Sequence, residues 1–176
     1  MKKYNTKEKI LFIISIMIIS GIFGYIYEIL FYRIDIGYFA KRGKGFGPWL
    51  PLYAFGGLLI TLFTYKHQKK PIKVFLIAMI TCGILEYITG YLLLNISNER
   101  LWDYNTEIWN FGNIQGFICL RSVLFFGISG MFLVYVIIPL ISFFIKQNKY
   151  QTAITIIGIM FSADFIINYI MLKLWK

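Results

Sequence analysis

The stretch FLIAMITCGILEYITGYLLLN, residues 75–95, is apolar for long enough to cross a bilayer as a helix, yet it carries Glu86 near its middle. A hydrocarbon core of roughly 30 Å takes about 20 helical residues, which this run supplies. A carboxylate at such a depth costs about 2.5 to 3.5 kcal/mol on insertion scales, so Glu86 must face protein or a wet cavity rather than lipid. Gly83, Glu86 and Gly90 recur at i, i+3, i+7 and share one helical stripe, where glycines let a neighbouring helix come close. The stripe predicts a helix contact with the acid inside it, either to pin the packing or to work in a site.

The rest of the chain is of the same kind. It has 176 residues, 59% of them hydrophobic and 19% aromatic, with a mean hydropathy of +0.69. Soluble domains are only about 45 to 50% apolar, so the composition is that of an integral membrane protein. Eighteen basic residues against eight acidic leave +10. In a soluble chain that balance would suggest nucleic acid, but here the lysines stand in short clusters between apolar runs, a topology signal, and no nucleic-acid partner is expected. Cys82 and Cys119 lack CxxC or histidine spacing and read as small packing residues.

Five apolar segments follow, near residues 10–31, 49–65, 74–94, 123–145 and 152–172. The expected fold is all-α, a polytopic membrane bundle of about five helices in a single integral membrane domain, with two re-entrant or capping outer loops. The second segment is short, and Pro48 and Pro51 suit its first turn, where the missing N–H costs nothing. The first follows Lys2, Lys3, Lys7 and Lys9, is longer than the core of a cleavable signal and has no A-x-A site, so it is expected to stay attached.

Basic residues set the orientation. An amino terminus inside places Lys2, Lys3, Lys7, Lys9, Lys66, Lys69, Lys70, Lys73, Lys146 and Lys149 in the cytoplasm, and Arg33, Lys41, Arg42, Lys44, Arg100, Arg121, Lys173 and Lys176 outside, ten against eight. The expected location is the cell membrane, multi-pass, amino terminus cytoplasmic. Glu86, Glu28 in the first span and Asp164 in the fifth, with Asn168 one turn on, then lie in the middle or outer half. Ser20, Gly24 and Glu28 repeat the small-residue-plus-acid stripe. Two hairpins, each an acid-bearing helix followed by a Gly- and Arg-containing loop and a return helix, suit either a weak parallel internal repeat or two hairpins that arose without duplication.

Two loops carry the polar chemistry. In KRGKGFGPW, residues 41–49, glycines at 43, 45 and 47 permit positive φ and expose successive N–H groups beside three cations, a concavity suited to phosphate or carboxylate. A tight turn touching anionic headgroups is the plainer reading. Residues 96–122 are too long for a simple connection and interleave aromatics with amides, so they are expected to fold back as a lid. Trp102 and Trp109 suit the headgroup level. Arg42 and Arg121 are the natural counter-ions of Glu28 and Glu86. The candidate polar site is therefore Glu28, Arg42, Glu86, Trp102, Asp103, Tyr104, Asn110 and Arg121. His67 lies among lysines and is expected to be solvated. No nucleophile elbow, zincin helix or nucleotide fingerprint occurs, so no metal or cofactor is expected and these motifs assign no catalytic residue.

Several ordered blocks resemble a known family. Gly24-Tyr25 with Glu28; Arg42-Gly43, Gly47-Pro48, Pro51, Tyr53 and Gly56; Thr81, Glu86-Tyr87 and Thr89-Gly90; Trp102-Asp103-Tyr104; and Asn110, Gly116, Ile118-Cys119-Leu120 and Ser122 are similar to the CmpB-like ABC-transporter type IV permeases of bacteria, over about Gly24 to Pro139. The chain departs from that pattern at Asn95, where a further Glu is frequent, and at Phe117, where a basic residue is common. The resemblance implies a polytopic membrane protein with a role in transport, whose ATPase is a separate polypeptide; it names no substrate. The leading expectation is a transport permease or membrane subunit using the polar site, in the lipid bilayer and able to form a homo-oligomer. The alternatives are an intramembrane enzyme for a lipid-linked or anionic headgroup substrate, with Glu86 or Asp103 as base, and a non-catalytic partner in a membrane complex.

Overall fold

The computed structural model describes residues 4–171, with the side chains of residues 97 and 169–171 outside that description. Lys2, Lys3, Lys173, Lys176 and the last residue of the expected fifth span likewise lie outside the described residues. The fold is all-helical, with α1 (Thr6–Asp35), α2 (Pro51–Thr64), α3 (Pro71–Ser97), α4 (Leu120–Phe144) and α5 (Asn148–Asn168) in chain order. Four of these, α1, α3, α4 and α5, are long and apolar enough to cross a membrane.

Local chemistry sets the ends. Asn5 caps α1 through its side chain, 2.8 Å from the Glu8 amide, while Glu8 returns a 2.9 Å bond to the Asn5 amide. This reciprocal pair satisfies two of the first-turn donors. At 30 residues α1 is about 45 Å long, more than a bilayer core needs. By contrast α2 has 14 residues, about 21 Å, and falls short of a full crossing. Pro71 opens α3 and Asn98 closes it in the left-handed conformation at φ 54°. In α4 the turn Leu133–Ile137 is a π-helix immediately before Ile138-Pro139. Proline has no N–H to give and its ring crowds the preceding turn, so the helix widens there.

The chain divides into two compact units. Residues 1–58 and 136–176 form the first and residues 59–135 the second.

In the second unit, α3 sorts its side chains by size rather than polarity. Val74, Ala78, Cys82, Glu86 and Gly90, four residues apart in turn, are buried, whereas Ile72, Leu76, Ile80, Ile84, Ile88, Leu92 and Ile96 form an exposed row. The buried row packs on α4, where Gly127 and Gly130 leave room for Phe75, Met79 and Ala78. Small residues on both sides of a helix contact allow the close approach that stabilises packing in lipid. Gly83 meets Ile118 and Val123, and Gly90 meets Phe117 and Trp102. The stripe read from the sequence is thus a helix contact, with Glu86 inside it.

In the first unit, α1 packs against α5 and against the last turns of α4. Leu11, Phe12 and Ile16 join Ile141 and Ile145 in one core cluster. A second gathers Ile18, Trp49, Ala54 and Phe161, with the Trp49 and Phe161 rings edge to face at 5.6 Å. The start of α2 is fixed to α1 by the Leu50 amide, which donates to the Gly21 carbonyl at 3.0 Å. Gly24 faces the ring of Tyr53 so closely that a methyl group there would overlap it.

Candidate functional site

In the first unit, Glu28 and Tyr32 stand one turn apart on α1 and grip Arg42 from the following loop. The guanidinium Nε donates to the Glu28 carboxylate at 2.7 Å, and its carbon lies 3.8 Å from the centre of the Tyr32 ring. The counter-ion expected from the sequence is therefore in place. Carboxylate on one side and aromatic face on the other suit arginine's planar fork in a way lysine cannot match.

The glycine-rich loop does hold an anion, and that anion is the protein's own Asp164. The amides of Phe46 and Gly47 donate to its carboxylate at 2.8 and 3.2 Å, and the Trp49 indole Nε1 donates at 2.5 Å. Asn168, one turn along α5, adds a 2.6 Å bond to Oδ1 and also reaches the Asp164 carbonyl at 3.2 Å. Asp164 is only 6% exposed, and a buried carboxylate is tolerable when its lone pairs are matched by this many donors. The glycines serve different ends from those expected of all three: Gly43 alone takes positive φ, at 73°. Gly45 and Gly47 provide space, because a Cβ on Gly45 would sit 2.5 Å from the Asp164 carboxylate and one on Gly47 would strike the Trp49 indole.

In the second unit, residues 98–119 fold into a cap. Asp103 is the hub of its outer part: Arg100 reaches its carboxylate at 2.9 Å, the Asn105 amide at 3.0 Å and the Asn105 side chain at 2.7 Å. Asn113 then bonds Asn105 at 2.7 Å and receives the Gly116 amide at 2.8 Å. Gly116 has φ 76°, and a Cβ there would run into Arg100, Asp103 and Asn105. Arg100 also covers the Phe117 ring at 4.8 Å, so the apolar residue at 117 has a basic neighbour from elsewhere in the loop. Trp102 donates from Nε1 to the Phe117 carbonyl at 3.0 Å.

The inner part of the cap reaches Glu86. The Tyr104 hydroxyl donates to one carboxylate oxygen at 2.6 Å and Ser122 Oγ stands 2.9 Å from the other. Glu86 is 3% exposed. Ser122 Oγ is also 2.9 Å from the Cys119 carbonyl, yet a hydroxyl has one proton to give. The proton goes to Glu86 when that group is a carboxylate; it can turn to Cys119 when Glu86 is protonated and itself the donor. Arg121, beside Ser122, donates from Nη2 to Glu107 at 2.6 Å, and its guanidinium lies 5.4 Å from the Tyr104 ring. Asn110 holds Tyr104 in place through a 2.8 Å bond to its carbonyl.

The eight residues singled out in the sequence thus fall into three groups. Glu86, Tyr104 and Arg121 form one cluster in the second unit, with Asn110 supporting it. Trp102 and Asp103 stitch the cap together. Glu28 and Arg42 pair in the first unit. Three participants escaped sequence reasoning: Glu107, which takes Arg121 Nη2; Ser122, which reaches Glu86; and Asp164 as the guest of the glycine loop. Among the described residues no group of three His, Cys, Asp or Glu side chains is placed to hold a metal ion.

A family model described as Putative ABC-transporter type IV matches residues 15–169. No curated protein and no solved structure matches the chain.

Proposed function

Because this multi-pass membrane protein belongs to the Putative ABC-transporter type IV family, we propose that it is the membrane-embedded subunit of a transport system and that the cluster around Glu86 is its polar centre. The observation that supports the reading is a buried carboxylate in a membrane-length helix whose hydroxyl donors come from a folded loop, Tyr104, and from the next helix, Ser122. An ionisable group inside a span marks a functional site by default. Donors carried on a loop withdraw when the loop lifts, which hands the carboxylate to a cationic or hydrogen-bonding group of a cargo. With the amino terminus in the cytoplasm, and α2 together with the loop before it returning the chain to that side, the cap faces outward and Glu86 lies near mid-depth.

These 176 residues carry no ATPase fingerprint, so the motor of the proposed system lies outside them. A second reading, a non-catalytic partner in a membrane complex, is favoured by two short connections: residues 65–70 and 145–147 are too short to hold a helix on which an ATPase docks.

Purification of the full chain from native membranes separates the two. The transport reading expects an ATPase to co-purify, and expects Glu86→Gln to lower ATP hydrolysis by the intact complex while abundance and assembly hold. If Glu86→Gln lowers only abundance or assembly, the partner reading replaces it.

A further inference from the structure

We propose that the first unit carries a binding site for one acyl chain of an anionic phospholipid, between the third and fourth turns of α1, the last turns of α4 and the opening turns of α5. A cavity of about 390 Å³ lies there, walled by Ser15, Ile19, Ile141, Phe144, Ile154 and Ile157 among others. That volume falls in the range of roughly 300 to 1,000 Å³ typical of ligand pockets. The one hydroxyl deep in the wall is used up internally, Ser15 Oγ donating to the Leu11 carbonyl at 2.8 Å, so the hollow offers an occupant nothing but apolar surface. From Tyr150 to Ile157 the groove follows α5 for about 10 Å, the upper part of one acyl chain.

The charge at its mouth selects the headgroup. Phe144 and Tyr150 form the rim, edge to face at 5.0 Å, and Lys149 Nζ lies 4.7 Å from the centre of the Tyr150 ring. Lys146 is exposed in the same short connection, and Lys7 and Lys9 are exposed on the first turns of α1. The acid at this end, Glu8, is engaged with Asn5 in the cap of α1. An apolar slot in a bilayer, walled by helices whose ends and short connection carry four exposed lysines, matches a lipid with an acyl tail and a net negative head, since juxtamembrane lysines attract anionic lipids. This site is independent of the Glu86 cluster and of the transport reading.

Native mass spectrometry of the purified full chain, equilibrated with phosphatidylglycerol and phosphatidylcholine in equal amounts, tests it. We expect one retained phosphatidylglycerol per chain. In the double variant Lys146→Gln, Lys149→Gln the preference for phosphatidylglycerol falls at least several-fold. Ala153→Phe and, separately, Ile157→Phe fill the groove and remove retained lipid of either class, with circular dichroism checking that the helices persist. Equal retention of both lipids by the wild type overturns the proposal, and so does unchanged retention in both filling variants. A stable dimer whose interface, rather than lipid, is lost on filling the groove also overturns it.

Discussion

Replacing Asp164 with alanine removes the acceptor shared by the Phe46 and Gly47 amides, the Trp49 indole and the Asn168 side chain. Hydrogen bonds to a charged group are worth about 1.5 to 3 kcal/mol each, but four donors on one carboxylate are not additive. The larger cost is that the buried Trp49 indole and Asn168 side chain lose their partner where water replaces it poorly. Removal of one side of a buried charged constellation costs about 3 to 5 kcal/mol, and we expect a loss of that size. Asp164→Asn keeps one acceptor oxygen but turns an NH2 toward the donors, so it should fall roughly midway. For a chain of this length 1 kcal/mol corresponds to about 2 to 4 °C. The assay is the temperature at which half of the detergent-solubilised protein stays monodisperse, together with proteolysis of residues 36–50. Asp164→Ala should lower that temperature by roughly 10 °C and expose the loop to cleavage. An alanine variant that melts with the wild type and resists protease equally well would refute the reasoning, because the loop would then not depend on its guest.

Further outcomes follow from the same geometry. Gly116→Ala forces a side chain into positive φ and into the Arg100, Asp103 and Asn105 cluster; it should cost about 1 to 3 kcal/mol and make the cap, though not the helices, protease-sensitive. Arg42→Lys retains the charge beside Glu28 but gives up the stacking on Tyr32, so its thermal stability should lie between those of the wild type and Arg42→Ala. Cys82 and Cys119 are both buried, so maleimide should label neither in the native protein and both after unfolding.

Much of this arrangement is legible in the chain because lipid imposes simple rules. Apolar length marks the four long helices, and the cost of a charge in hydrocarbon forces Glu28 and Glu86 onto protein-facing stripes with small residues. The pair Glu28 and Arg42 was open to sequence reasoning for a local reason: fourteen residues and one turn separate them. The guest of the glycine loop was not, since Asp164 lies 118 positions from Phe46 and neither segment encodes that approach. Arg121 shows a different limit. Its neighbourhood offers two acids, Glu86 and Glu107, and composition alone cannot tell which one Nη2 takes; the path of the cap decides, bringing Glu107 to 2.6 Å. Ser122 lies 36 positions from Glu86, and a serine in the first turn of a helix carries no signal that ties it to that acid.

The burial of Glu86 beneath Tyr104 is tested most directly by thiol labelling. In a Cys82→Ala, Cys119→Ser background, Glu86→Cys and, as an exposed reference on the cap, Thr106→Cys are treated with a membrane-impermeant maleimide in proteoliposomes. The account predicts that position 86 reacts slower than position 106 by on the order of tenfold or more, and that adding Tyr104→Ala raises its rate. Labelling of position 86 as fast as position 106, with no effect of Tyr104→Ala, would contradict it.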